Sequence, residues 1–489
     1  MPRSPNIWAD VPDMATIRVG NVYYMSSTTM HLHPGVPIMR SEDLHTWEVI
    51  RYVYDVLDED SDALALTGAN AYGRGSWASS INHHQGRFYV TSFSYTTNKT
   101  YIWHTDNIET GAFNTIELPE VYHDASLLFD GGRVYLVYGH DNIQLIELEA
   151  DLSAVKPGGL QQTIIANASA VAGSEFILKA EGTQIQKIHG WYYVSNICWP
   201  KGQPRTQIVH RSRSLTGPYE GRVVLDSGVA QGEYISTPAG DWYLYAFRDS
   251  GAVGRLPWLI PIVWRDDWPV VEGTTAAAVQ EAPAAPLTGL IKSDDFTAAT
   301  LDRVWQWNHR PADGGWSLTA RPGFMRLINT RRDTSFVDTR STLTQRMFGP
   351  TSTASVTLEL TGLNDGDTAG LGALQSHYGF VAVAQEGGQR ALIMVNAASG
   401  EPVEMERIPL AAERIHLRIA ADFREQRDRA YFYYSLDGQR WQRIGDALPM
   451  SYRLDHFMGY RFALFSFARD APGGHADFDR FEVTGDPPR

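Results

Sequence analysis

Short runs of apolar and aromatic residues alternate with polar ones along almost the whole chain, and turn residues interrupt them every few positions. A period of two sends successive side chains to opposite faces, so the pattern predicts β-strands. One unit recurs five times: a turn containing glycine, one further residue, then a strand opening on an aromatic pair or its equivalent. The copies are Arg18–Tyr24, His84–Tyr89, Asp130–Tyr135, Ile188–Tyr193 and Pro238–Tyr243. Taking Tyr24, Tyr89, Tyr135, Tyr192 and Tyr243 as markers, the separations are 65, 46, 57 and 51 residues. A four-stranded propeller blade takes roughly 40–50 residues, with insertions in loops. The repeats therefore predict a five-bladed β-propeller over residues 1–272, and a sandwich of repeated hairpins is the rival arrangement.

The pattern then changes. From Glu272 the chain reads EGTTAAAVQEAPAAPLTG, rich in Ala, Thr and Pro and without period. Residues 273–292 are read as a linker or crossing segment. Alternation returns near Ser293 and continues in Ala354–Leu360, Ile415–Ala420, Ala476–Val483 and a hairpin over Ala430–Trp441 turning at Asp437-Gly438. Long alternating strands without helical periodicity predict a two-sheet β-sandwich of jelly-roll type over residues 293–489. The expected fold class is all-β.

Charge narrows the partners. The chain carries 42 Lys and Arg against 56 Asp and Glu, a net charge of −14, and its basic residues form no stripe. Nucleic acid needs a positive footprint, so it is excluded, as are anionic membranes and acidic polysaccharides. A neutral substrate fits. The 14 Trp and 23 Tyr suit both strands and stacking on sugar faces. The single cysteine, Cys198, cannot form an intrachain disulfide and sits between Ile197 and Trp199, an apolar setting for an inert thiol. There is no run of 18 apolar residues to span a membrane, and the N-terminus lacks an apolar leader core. The expected location is the cytoplasm, or outside it with a leader removed. Oligomeric state is not legible.

The repeats permit a register test. Counting back 11 residues from Tyr24, Tyr135 and Tyr192 gives Asp13, Asp124 and Glu181; the same step from Tyr89 and Tyr243 gives Ala78 and Gly232. Three equivalent positions carry carboxylates and two carry very small residues. Around a propeller axis this describes a pocket with acid groups on some walls and room at the others. Clustered carboxylates drive one another's pKa values apart. Glycosidic hydrolysis needs such a split, with a carboxylate base and a protonated acid on opposite sides of the bond.

Several stretches carry a resemblance: Ala9–Gly20, Gly75–Ser79, Tyr122–Ser126, Ala180–Thr183, Arg213–Tyr219 and Val253–Pro257. In this order they resemble glycoside hydrolase family 43, the five-bladed-propeller enzymes acting on arabinose- and xylose-containing polysaccharides. The C-terminal sandwich, ending in Gly474–Phe481, looks like the concanavalin-like accessory domain of that family's exo-acting branch. The resemblance implies Asp13 as general base, Asp124 as modulator of the acid and Glu181 as general acid, with inversion at the anomeric carbon. Asp10, three residues before Asp13, is the alternative base. It further implies substrate contacts from Trp77, as an aromatic wall with an edge donor, and from Arg255. No cofactor is required, although some relatives hold calcium near the axis, mostly through water.

Three more readings stay open. Met30 and His31 follow the first strands and are read as lining the pocket; His31 with His33 suggests a metal only weakly, since no third ligand is evident. Phe457 is either sandwich core or an aromatic lent to the pocket, and the second would close one end and favour exo action. Glu233 stands where a glycine is expected and is read either as an extra carboxylate near the pocket or as facing solvent. The activity expected is removal of terminal pentoses, as an α-L-arabinofuranosidase, a β-D-xylosidase or both. An endo-acting arabinanase or xylanase and a non-catalytic carbohydrate-binding protein are the rivals.

Overall fold

The computed structural model describes residues 5–271 and 289–488. Most of the expected linker, 273–288, lies outside the described residues. Its end does not: Leu290 and Ile291 are buried in the apolar core shared by the first and last blades.

Five four-stranded antiparallel sheets follow one another along the first part of the chain. Their first strands are Ala15–Val19, Ser80–His84, Ser126–Asp130, Phe176–Ile188 and Val229–Ser236. Each first strand contacts the first strands of its two neighbours, and the fifth contacts the first, so the ring closes. An apolar wedge fills the space between each neighbouring pair of blades. The alternation read from the sequence is what supplies both faces of each blade with buried side chains.

Among the described residues, ring closure uses no strand exchange. Instead the segment after the N-terminus runs along the last blade: Asn6 N donates to Pro257 O at 2.8 Å and Val11 N to Arg255 O at 3.1 Å. Glu233 joins in, since its carboxyl accepts the Thr16 N–H across the seam between the first strands of blades five and one. Glu233 is 4% exposed, which corrects the solvent-facing reading. A bulge between Ala230 and Glu233 turns this side chain into the seam.

The C-terminal part is a sandwich of two eight-stranded sheets, one with a side branch. Its core is dominated by Leu, Ile, Val, Met and Phe on the inward positions of facing strands. The division of the chain is less clean than the sequence suggests. Leu32–His33, from the first blade, pairs with Gln306–Asn308 and becomes the edge strand of one sandwich sheet. The two parts thus share backbone hydrogen bonds as well as side-chain packing. Cys198 is buried and free, and burial pushes its thiol up to about 12. Among the described residues, no helix is long and apolar enough to cross a membrane.

Candidate active site

Asp13 and Asp124 occupy the same place in blades one and three, two residues before the first strand, and both have φ of 49°. That left-handed backbone is uncommon for residues other than glycine and is best tolerated by Asp and Asn. It turns each carboxylate inward just as the strand begins. Glu181 lies inside the longer first strand of blade four, where the pairing slips on both sides of it. The next residue, Gly182, has φ of +66°, and an added Cβ there would lie 2.6 Å from the Gln231 side chain. Only glycine fits that turn, and its N–H donates to Asp124 Oδ2 at 2.7 Å.

Asp13 is buried and fully engaged. Its Oδ1 accepts from Arg255 Nη1 at 2.7 Å and its Oδ2 from Thr28 Oγ1 at 2.7 Å. Arg255 is itself 5% exposed. Burial disfavours its charge, but Asp13 and other acidic neighbours outweigh that and keep it cationic. Its Nε and Nη2 are buried with no hydrogen-bond partner among the described residues. Three N–H donors beside the Asp13 carboxylate are thus buried without a partner.

Asp10 does different work. Its two oxygens accept the Arg255 N–H at 2.7 Å and the Gly459 N–H at 2.9 Å, and its own carbonyl accepts from Arg346 Nε at 3.0 Å. It ties the strand of Arg255 to the sandwich segment that carries Phe457.

The aromatic wall comes from both parts of the molecule. Trp77 is partly exposed and packs against Phe93 at 6.0 Å, Tyr95 at 5.3 Å and Phe457 at 5.3 Å between ring centroids. Phe457 is half-buried, with the Arg255 guanidinium 4.6 Å from its ring centre. Phe457 therefore meets propeller residues and is not confined to the sandwich core. The Trp77 indole N–H donates to Arg74 O at 3.0 Å, so Trp77 offers its ring and not the edge donor expected of it.

Met30 and His31 are not open to the pocket. Met30 is 1% exposed; its backbone exchanges hydrogen bonds with Ser76, and its side chain lies in a small cavity with Pro12, Thr28 and Phe457. His31 is fully buried, bonded through Nε2 to Asn308 Oδ1 at 3.0 Å and packed against Tyr72, His309 and His456. It belongs to the seam between propeller and sandwich, which corrects its reading as a substrate contact. The physical reason is the Leu32–His33 strand, which carries His31 away from the axis.

Two residues of the site were not assigned a role from the sequence. His123 precedes Asp124, and its Nε2 lies 3.4 Å from both Asp124 Oδ2 and Glu181 Oε2. Burial opposes its charging, but Asp124, Glu181 and Asp13 outweigh that and raise it to about 9. Burial also raises the Asp124 carboxyl, with Glu181 and Asp13 pushing the same way against His123 and the Gly182 N–H. Tyr95 shares a 3.0 Å hydrogen bond with His123 Nδ1. The histidine was visible beside its acid in sequence; Tyr95 comes from another blade and left no signal. The nitrogen of His123 and the oxygens of Asp124 and Glu181 all lie within 4.8 Å of one another. Calcium takes six to eight ligands, waters among them, so these three groups would leave most of its sphere to water.

The sequence model of Glycosyl hydrolases family 43 matches residues 2–269. The chain belongs to glycoside hydrolase family 43. Residues 293–484 match the Beta xylosidase C-terminal Concanavalin A-like domain. Among solved structures, this family 43 protein is similar to "Bifunctional GH43-CE" of Bacteroides eggerthii, with 47% identity and a TM-score of 0.96; the match covers 100% of this chain and 64% of that one. Among curated proteins, it is 28% identical to a putative beta-xylosidase of Xylanibacter ruminicola, over 90% of this chain and 82% of the relative. It is 25% identical to a non-reducing end alpha-L-arabinofuranosidase of Bacteroides ovatus, over 80% of this chain and 77% of the relative. The protein is thus a glycoside hydrolase, and the propeller and sandwich are the family's catalytic and concanavalin-like parts.

Proposed function

We propose that this family 43 enzyme is an exo-acting, inverting hydrolase that releases terminal pentoses from plant hemicellulose or its oligosaccharides. The activities are α-L-arabinofuranosidase, β-D-xylosidase or both, in keeping with the names of its relatives. The observation that carries the reading is the meeting of Phe457 with Trp77 and Arg255. A sandwich segment closing over the propeller site leaves room for a chain end and obstructs the middle of a polymer.

Asp13 draws a proton from the attacking water, held in place by Arg255 and Thr28. Glu181 protonates the leaving oxygen, and Asp124, anchored by the Gly182 N–H, places Glu181 and tunes it. The free Arg255 donors grip sugar hydroxyls, and Trp77 and Phe457 stack on the ring. The chemistry needs no cofactor, and the substrate is a neutral oligosaccharide or polysaccharide rather than nucleic acid or membrane.

The test is turnover of p-nitrophenyl α-L-arabinofuranoside and p-nitrophenyl β-D-xyloside, side by side, with and without a chelator. Turnover of either supports the exo reading, and the ratio names the activity. A chelator effect would bring in an axial calcium. Activity only on polymer, with mid-chain products, would favour an endo enzyme; sugar binding without turnover would favour a binding protein. Asp13→Ala should lose about 10³-fold or more in kcat with the fold intact, and Asp10→Ala much less. Near-normal activity in Asp13→Ala would sink the base assignment.

A further inference from the structure

Three arginines are buried together where the first and last blades meet the sandwich. Arg255 opens the third strand of blade five, Arg255–Arg265. Arg346 ends the sandwich strand Thr342–Arg346, and Arg461 opens the adjacent strand Arg461–Ala468. Arg346 and Arg461 are direct cross-strand partners, so both side chains leave the sheet on the same face. Like charges set opposite one another on paired strands repel. Water does not screen this pair, since Arg346 is 3% exposed and Arg461 4%.

The carboxylates nearby do not balance them. Asp13 is taken by Arg255 at 2.7 Å. Asp10 turns its two oxygens to the backbone N–H groups of Arg255 and Gly459, and burial raises its pKa. Asp249 also lies near Arg255 but pairs with Arg205 at 2.6 Å. Arg346 and Arg461 hydrogen-bond to neutral oxygens instead. Arg346 Nε donates to the Asp10 carbonyl at 3.0 Å, and Arg461 donates from Nε to Thr344 Oγ1 at 2.8 Å and from Nη2 to Gln306 Oε1 at 3.1 Å. Arg346 Nη1 is buried with no partner among the described residues. Burial and the adjacent Arg346 lower Arg461 to about 9, as expected of a cation short of counter-charge. A guanidinium removed from water without a counter-charge is costly.

A cavity of about 10 Å³ lies within this cluster. Asp10, Gln306, Arg346, Phe457, Met458 and Arg461 are among the residues that line it. It has room for one small occupant. Two guanidinia on its wall attract an anion and repel a cation. We propose that this cavity is a binding site for a chloride-sized monovalent anion, held between Arg346 and Arg461. Such an anion supplies the charge that Asp10 and Asp13 leave uncompensated among the three arginines. It also ties the two sandwich strands to the Phe457–Met458 segment beside the catalytic pocket. Phosphate and sulfate are too large for this volume.

The experiment uses the whole chain and two readouts. Crystals grown in gluconate salts are soaked in sodium bromide, and anomalous scattering is measured at the bromine edge. Thermal unfolding is followed in about 100 mM sodium chloride and in sodium gluconate of equal ionic strength, so that general screening is the same in both. The net charge of −14 works against general chloride uptake. The expected results are one bromide peak between the Arg346 and Arg461 guanidinia and a Tm higher in chloride by about 2 °C or more. Arg346→Met should lower Tm in both salts and abolish the difference between them. A cavity holding water and no bromide overturns the proposal. So does a bromide peak with equal Tm in the two salts, which would mark an adventitious ion only. An undiminished chloride increment in Arg346→Met overturns it as well. If that variant does not fold, the bromide map and the wild-type Tm pair decide.

Discussion

At the residue scale, the site depends on a buried charge pair. Arg255 and Asp13 are each about nine-tenths or more hidden from solvent and meet at 2.7 Å. Removing one member of such a pair leaves the other charge without compensation, at about 3–5 kcal/mol. Arg255→Ala is therefore expected to lower kcat/KM about 10³-fold and to reduce unfolding free energy by about 3 kcal/mol, read by steady-state kinetics and denaturant titration. Arg255→Lys should keep the pairing charge but lose the fork that leaves Nε and Nη2 free. Its damage should then appear more in KM than in stability. Asp13 and Arg255 were both identifiable in the sequence, but that they form a pair was not, because 242 residues separate them.

At the element scale, the working parts are the starts of the blades' first strands and the seam where the ring closes. The equal 11-residue offset that marked the three acids has mixed origins. In blades one to three the marker tyrosine pairs with the residue seven positions back, as in Ile17 with Tyr24 and Leu128 with Tyr135. In blade four Tyr192 pairs with Lys187, five positions back, and the slipped pairing around Glu181 makes up the difference. The offset reaches Glu181 through two compensating irregularities. At the seam, burial raises the Glu233 carboxyl to about 8. Its folded pKa exceeds the free value, so its contribution is fully present at low pH and is lost as pH rises toward 8. Glu233→Gln keeps an acceptor for the Thr16 N–H and removes that titration. It should raise unfolding free energy at pH 8 by about 2 kcal/mol or more and leave it nearly unchanged near pH 4, as measured by denaturant unfolding at the two pH values.

At the scale of the whole molecule, propeller and sandwich share one seam, and it is filled with neutral histidines. His31, His33, His309 and His456 are all buried there. Burial lowers each of them, His33 to about 4 and His456 to about 3. A histidine held below its free value binds fewer protons folded than unfolded, so its stability is present above about pH 6.5 and is lost as pH falls below that. Each such group costs up to about 1.4 kcal/mol per pH unit on the acid side. Unfolding free energy should fall steeply between about pH 6.5 and pH 4, and replacing His456 by Gln should flatten that limb. An acid limb unchanged in slope would show that this seam is not what titrates. His123 works the other way: its raised value gives stability that is complete below about pH 6.5 and lost as pH rises through about 9.

The sequence by itself determined what depends on local pattern. Period-two alternation gave strands, the repeated aromatic turn gave five blades, and Asp13 and Asp124 stand just before their blades' first strands, where a short polar residue tolerates the left-handed turn. Contacts between distant segments were decided only by the tertiary structure. Leu32–His33 leaves its blade to complete a sandwich sheet, which buries His31. Asp10 reaches Gly459 and holds the segment that puts Phe457 against Trp77. Tyr95, His123 and Glu181 come from three blades and meet only when the ring is closed. Periodicity fixes which face a side chain takes within its own element; which other element it meets is set by how the closed ring and the two sheets pack, and no spacing along the chain records that.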